Sequence, residues 1–269
     1  MILFVVSIFI FLLKDALSLF GAYGIRYFLF GKNWLPISDP PKFGMVPLLL
    51  GSLYVTFGAI IICVPLGVCS AMFIAEVAPS HLKHVLKSLV EILAAIPSVV
   101  LGFIGIVWLG PFLRNMLHLS TGMCGLTGSL LLAFMALPTV ISISEDALIG
   151  VPKAYKEAAF GLGATRWQAL WRIVLPSASS GIIAAVMLGI GRVIGETMVV
   201  LMVTGNSPVM PTSLLQPLRT LTATIAGEMG ETVAGSEHYF ALFAVGLILF
   251  VITFIINFIA DLCLRRARK

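Results

Sequence analysis

Five stretches of this chain stay apolar for longer than a globular core requires, near 48–75, 89–112, 124–144, 178–204 and 239–263. A helix rises about 1.5 Å per residue, so about 20 apolar residues cross the roughly 30 Å hydrocarbon layer of a bilayer. Each stretch passes that test. Hydrocarbon offers no hydrogen bonds to an open backbone, so such segments are expected as α-helices. Only 11% of the residues are charged, against about a quarter in soluble domains. The expected fold class is an all-α polytopic membrane protein with about six transmembrane helices.

The sixth helix is the first in the chain. An apolar run at 2–13 covers roughly 18 Å as a helix before Lys14 and Asp15 interrupt it. Either the helix absorbs that pair and continues through 17–23, or it is short or truncated; the second reading is preferred for 1–23. No basic residue precedes the run, which argues against a signal peptide. Lys83, Lys87, Lys153, Lys156, Arg166, Arg172 and the carboxyl-terminal Arg265, Arg266, Arg268 and Lys269 fall in one set of connections. The opposite set holds only Arg26, Lys32, Lys42, Arg114 and Arg219. The richer side is predicted to be cytoplasmic, which puts both termini inside. The segments 24–47 and 205–238 then face outward, 48–263 forms the core, and 264–269 is a basic cytoplasmic tail. Because the basic residues mark loops and ends, the net charge of +5 reports topology and not a nucleic-acid face.

Cys63, Cys69, Cys124 and Cys263 form no CxxC pair and read as small apolar fillers. His81 and His84 have no carboxylate or thiol beside them. No metal site is expected. HExxH and GxSxG are absent, which disfavours an intramembrane enzyme. No GxxxxGK[ST] loop is present, so ATP hydrolysis belongs to another subunit if it occurs.

The loop 150–177 carries the most specific pattern. Glu157-Ala158-Ala159 is followed after three residues by Gly163, and after nine more by Ile173, Leu175 and Pro176. Pro152 suits a helix start, where its missing N–H costs nothing. Gly163 suits the left-handed residue that ends one. A second short helix is predicted over 164–174, with Trp167 and Trp171 one turn apart. The tryptophans fit a membrane interface as well as a groove on a partner.

A second pattern lies inside the fifth apolar stretch, GIGRVIGETMVV over 189–200. Ionisable residues at mid-bilayer cost about 2.5–3.5 kcal/mol each on insertion scales, so they mark pathways. Arg192 and Glu196 are four apart and are expected on one helix face. Arg offers a planar donor fork suited to an oxyanion. Glu196 is expected to hold Arg192 when the path is empty. Thr197 adjoins them, and Arg219 with Thr220, Thr222 and Thr224 provides further donors near an outer mouth. Glu228 and Glu231 are not expected to bind an anion. Glu145 and Asp146 read as a helix-end feature or a contact with the 150–177 loop, and Glu76 and Glu91 as interfacial residues.

The 157–176 pattern matches the EAA signature and resembles that of ABC importer permeases. The run at 189–200, LAAIPSVV at 93–100, LPTVISISEDAL at 137–148 and RTLTATIA at 219–226 resemble the phosphate-specific transport permeases, the last favouring the C-type over the A-type subunit. The resemblance extends from about Trp34 to the end. It implies an ABC importer type I permease fold in the bacterial inner membrane. It also implies a non-enzymatic subunit that carries phosphate and pairs with a second, homologous permease. Two cytoplasmic ATPase subunits would bind ATP and Mg, with no cofactor on this chain, and an external phosphate-binding protein would deliver substrate. Glu157, Ala158, Ala159 and Gly163 would couple to the ATPase, and Arg192 and Glu196 would serve phosphate passage. The A-type subunit and a sulfate or molybdate permease are the alternatives within this class.

Overall fold

A computed structural model describes residues 2–267, with side chains over 3–262. Cys263 and the basic tail 264–269 lie outside the described side chains.

The chain begins with α1 (Ile2–Tyr23) and a short α2 (Ile25–Phe30). A two-stranded antiparallel hairpin follows, β1 (Trp34–Leu35) and β2 (Lys42–Phe43), with Trp34 opposite Phe43. Next come α3 (Val46–Met72), which ends in a π-helical turn at Phe73–Val77, and α4 (Ser80–Ala95). Helices α5 (Ser98–Ile104) and α6 (Gly110–Leu117) are joined by a second π turn at Gly105–Leu109. Then come α7 (Gly125–Ile149), α8 (Lys153–Gly161) and α9 (Arg166–Ala169). A third π turn, Leu170–Val174, leads into α10 (Leu175–Ile194). The chain closes with α11 (Met198–Val203), α12 (Leu221–Glu228) and α13 (Glu237–Ala267).

Among the described residues, six helical segments are long and apolar enough to cross a membrane: Leu3–Tyr23, Val46–Val77, Ser98–Leu117, Gly125–Ile149, Arg166–Ile194 and Glu237–Leu262. Large apolar side chains such as Phe4, Phe57, Trp108 and Phe254 stay exposed along them. In water such faces would aggregate; in hydrocarbon they are at no disadvantage.

Three boundaries differ from those read in the sequence. The first helix is not short: α1 runs unbroken past Lys14 and Asp15 to Tyr23. The apolar stretch near 89–112 is two helices. Pro97 pushes Ile96 into the extended region (φ −66°, ψ 123°), so α4 stops at Ala95 and a new helix starts at Ser98. The stretch near 178–204 also breaks, after Ile194, and its span begins earlier, at Arg166.

Contacts divide the chain into two compact units. One comprises 1–59, 97–132 and 194–254. Its core joins Ala16 and Leu19 of α1, Phe28, Trp34, Phe43, Leu48 of α3 and Leu242 of α13. The hairpin is therefore a core element, with Trp34 and Phe43 edge to face at 6.1 Å. The other unit comprises 60–96, 133–193 and 255–269. Its core joins the end of α3 (Ala71, Met72), the end of α7 (Leu148), Val151, and Leu170, Val174 and Ala178 around the start of α10.

Candidate functional site

The residues singled out by sequence fall in three places; the second and third each lie within one unit, whereas the first is divided in the chain, Arg192 belonging to one unit and Glu196 and Thr197 to the other. The first is the charged run of the fifth span. Arg192 lies in the last turn of α10, and its Nη1 donates to Thr139 Oγ1 of α7 at 3.0 Å. The helix stops two residues later. Glu196 is therefore not on the same helix face as Arg192, contrary to expectation. Gly195 is a poor helix former, and the Glu196 carboxylate offers the backbone a competing partner. Its Oε1 accepts the N–H groups of Met198 at 3.0 Å and Val199 at 3.2 Å. Those are first-turn donors of α11 that no helical carbonyl can reach. Glu196 thus acts as a cap, with its charge at the favourable helix end. Thr222 Oγ1 donates to the Glu196 backbone carbonyl at 2.7 Å, tying α12 to the break. Thr197 is the residue before α11, and its hydroxyl makes only a long 3.4 Å bond, to Gly195 O.

The second place is centred on Glu228, which sequence reasoning set aside as a ligand and did not pair. Arg219 Nη1 donates to Glu228 Oε1, and Arg219 Nε donates to Asn206 O at 2.9 Å. Trp34 Nε1 donates to Glu228 Oε2 at 3.1 Å, and His238 Nε2 lies 2.8 Å from the same oxygen. A carboxylate only accepts, so that imidazole nitrogen carries its hydrogen. Trp34 is 1% exposed, and a buried indole N–H needs such a partner. That requirement was the one available sequence signal, and it does not say which residue answers it. The group lines a cavity of about 510 Å³ together with Asn206 and Glu231. Arg219 is held by its main chain as well: a Cβ on Gly51 would collide with the Arg219 carbonyl, so only glycine allows α3 to approach it.

The threonines beside Arg219 bond within their own unit. Thr220, Thr222 and Thr224 are all buried. Thr220 caps α12 by accepting Ala223 N–H at 3.2 Å, and Thr224 donates back to Thr220 O at 2.8 Å. Thr220 and Thr224 thus serve the backbone of α12, and Thr222 that of the break at Glu196.

The third place is the 150–177 hairpin. Pro152 precedes α8, and Gly163 takes the left-handed conformation at φ +82°. Thr165 and Gln168 form a reciprocal capping box at α9. The second arm is not a separate helix, because α9 continues through its π turn into α10. Glu157 and Ala158 are exposed, while Ala159 is buried. Trp167 and Trp171 meet edge to face at 5.6 Å. Phe160, Leu162, Trp167 and Trp171 are exposed, Leu162 to 90% at the turn. Lys156 Nζ lies 2.5 Å from Glu76 Oε1. Glu145 and Asp146 pair with α4: Lys87 Nζ lies 3.7 Å from each, and Glu145 is buried within α7. Glu91 is exposed on α4. Among the described residues, no group of three or more His, Cys, Asp or Glu side chains is placed to hold a metal ion.

Comparison with known proteins gives a consistent answer. The sequence profile described as "Binding-protein-dependent transport system inner membrane component" matches residues 64–269. The probable ABC transporter permease protein YqgH of Bacillus subtilis is 41% identical over 93% of this chain and 82% of its own length. The phosphate transport system permease protein PstC of Mesorhizobium japonicum is 40% identical over 94% of this chain and 81% of its own. Among solved structures, the inward-facing MetNI methionine ABC transporter superposes with a TM-score of 0.63 at 21% identity, over 86% of this chain and 99% of that one. The bacterial alginate ABC transporter in complex with its alginate pentasaccharide-bound periplasmic protein gives 0.65 at 18% identity, over 96% and 88%. With six membrane-length helices, an EAA hairpin and a profile match over most of its length, the chain belongs to the family of binding-protein-dependent transport system inner membrane components and has the all-α fold of ABC importer permeases.

Proposed function

We propose that this chain is the permease subunit of an ATP-driven phosphate importer. The observation that carries the substrate is the 40% identity to a phosphate transport permease over 94% of the chain. The site chemistry supports it. Arg192 is bonded to a neutral hydroxyl, so that bond leaves its charge free to act on an anion. Glu196 and Thr197 follow the helix break in the chain, with Glu196 as the cap of α11 and not as a switch. Arg219 is tied to Glu228 and shapes the cavity in its own unit.

The remaining parts follow the family. The exposed EAA hairpin, with Glu157, Ala158 and Gly163 outward and Ala159 packed, presents Phe160, Leu162 and Trp167 to one of two cytoplasmic ATPase subunits. ATP and Mg bind there; this chain holds no cofactor and catalyses no reaction. A second, homologous permease completes the path, and an external binding protein delivers phosphate. The excess of Lys and Arg in one set of connections supports a topology with both termini in the cytoplasm, and the family resemblance supports the bacterial inner membrane. Reconstitution with these partners tests the reading. Phosphate-loaded binding protein is expected to stimulate ATP hydrolysis well above the sulfate control; equal or absent stimulation sinks the substrate assignment.

A further inference from the structure

A helix that takes force from a partner must be anchored to what it moves. Of the nine residues of α8, only Ala159 is buried. One methyl group is a weak anchor, worth about 0.8 kcal/mol at best. The second attachment is ionic. Lys156 shares the Ala159 face, three positions away, and its ammonium lies 2.5 Å from Glu76 Oε1. The two side chains are only 23% and 19% exposed, so solvent and salt screen the pair less than a surface one. Glu76 sits in the π turn that ends α3, a feature found often at functional sites. That turn is itself clamped, because Lys83 Nζ of α4 donates to Ala75 O at 2.5 Å. Behind it, Met72 and Ala75 pack on Leu148, Val151 and Leu170. A pull on Glu76 therefore acts on a packed helix end and on α4 through Lys83.

We infer that the Lys156–Glu76 ion pair is the strut that carries displacement of α8 into the end of α3. Both are positioning residues for the coupling of ATP hydrolysis to transport. The inference rests on the reading of 150–177 as the ATPase contact, but not on phosphate as the substrate.

The test uses the full complex in lipid nanodiscs and follows amide exchange with and without ATP and Mg. It compares the wild type, Glu76→Gln, Lys156→Met, and the swap that joins Glu76→Lys to Lys156→Glu. ATP is expected to alter exchange over 153–162 in all four. Over 73–77 it should shift rates about tenfold, a 1.4 kcal/mol change, in the wild type and the swap. The single variants should shift by less than about twofold. Substrate moved per ATP hydrolysed should fall in the single variants and recover in the swap. A swap that does not assemble is replaced by Lys156→Arg, which keeps the cation and should behave as wild type. The strut is refuted if 73–77 responds normally in the single variants. It is equally refuted if transport and hydrolysis fall together at an unchanged ratio, or if neither rescue restores the response. Failure of the phosphate reading looks different: the wild-type complex would ignore phosphate-loaded binding protein while exchange at 73–77 still reported the strut.

Discussion

Replacing Glu228 with Ala should loosen the connection around 205–236 by about 3 kcal/mol, a figure assembled from its three donors. The Trp34 N–H is buried, and an orphaned buried donor costs about 1–3 kcal/mol. Stripping the partner from a fully buried charge costs about 3–5 kcal/mol. Arg219 is 21% exposed and keeps its Nε bond to Asn206, so about half of the lower figure applies. His238 can turn toward water and adds little. Glu228→Gln keeps an acceptor oxygen and should cost only about 1–2 kcal/mol. The assay is amide exchange over 205–236, which reads local opening without requiring the membrane domain to unfold. A double-mutant cycle isolates the indole bond. Trp34→Phe should cost about 1 kcal/mol in the wild type and close to nothing once Glu228 is Ala. A cost that is the same in both backgrounds to within about 0.3 kcal/mol would show that the two residues do not act together. The charge has its own check: Arg219→Gln should destabilise the wild type but not the Glu228→Ala protein, where it removes a cation that has lost its partner.

Arg192→Gln should lower phosphate uptake at least about tenfold at matched expression, the scale of one charge-assisted hydrogen bond; normal uptake would remove Arg192 from the path. Thr139→Val keeps the charge but frees its orientation, and uptake should fall roughly fivefold, equivalent to about 1 kcal/mol. Glu196→Gln retains an oxygen for Met198 and Val199 and should transport nearly as wild type, whereas Glu196→Ala should lose about 1 kcal/mol of capping. Equal losses in the two variants would assign Glu196 a charge role instead. Gly163→Val forces a β-branched residue to φ +82° at a cost of about 1–2 kcal/mol; it should reduce copurification of the ATPase, with Gly163→Asn milder.

What the sequence made legible was local. Span count follows from run length and apolarity, and the end of α8 follows from one glycine. The breaks were hidden because hydropathy has no direction. Ile96 and Val99 are as apolar as a continuous helix would make them, yet the Pro97 ring between them stops α4. Around Gly195 the four-residue spacing of Arg192 and Glu196 implies a shared face only if the helix continues, and the Glu196 side chain is part of what ends it. The Glu228 group was invisible for a different reason: Trp34 and Glu228 are 194 positions apart, and no periodicity connects them. Lys87 with Glu145 and Asp146 is the same case.

The pattern of paired charges bears on which arginine meets an anion. Glu228 faces Arg219 and His238, Glu76 faces Lys156, and Glu145 and Asp146 face Lys87. A cation bonded to a carboxylate presents a dipole, whose field falls off faster than that of a charge. An isolated charge 4 Å from an anion gains about 4 kcal/mol at an effective dielectric constant of 20, and most of that is lost when a carboxylate sits equally close. Arg219 is in that compensated state. Arg192, bonded to the Thr139 hydroxyl, keeps its monopole while its direction is fixed. An anion carrier needs a cation that is oriented without being neutralised, and a threonine partner supplies that where a glutamate could not. Thr139→Glu should therefore impair uptake more than Thr139→Val despite preserving a hydrogen bond to Arg192. Uptake that is better with Glu than with Val would place the anion contact elsewhere.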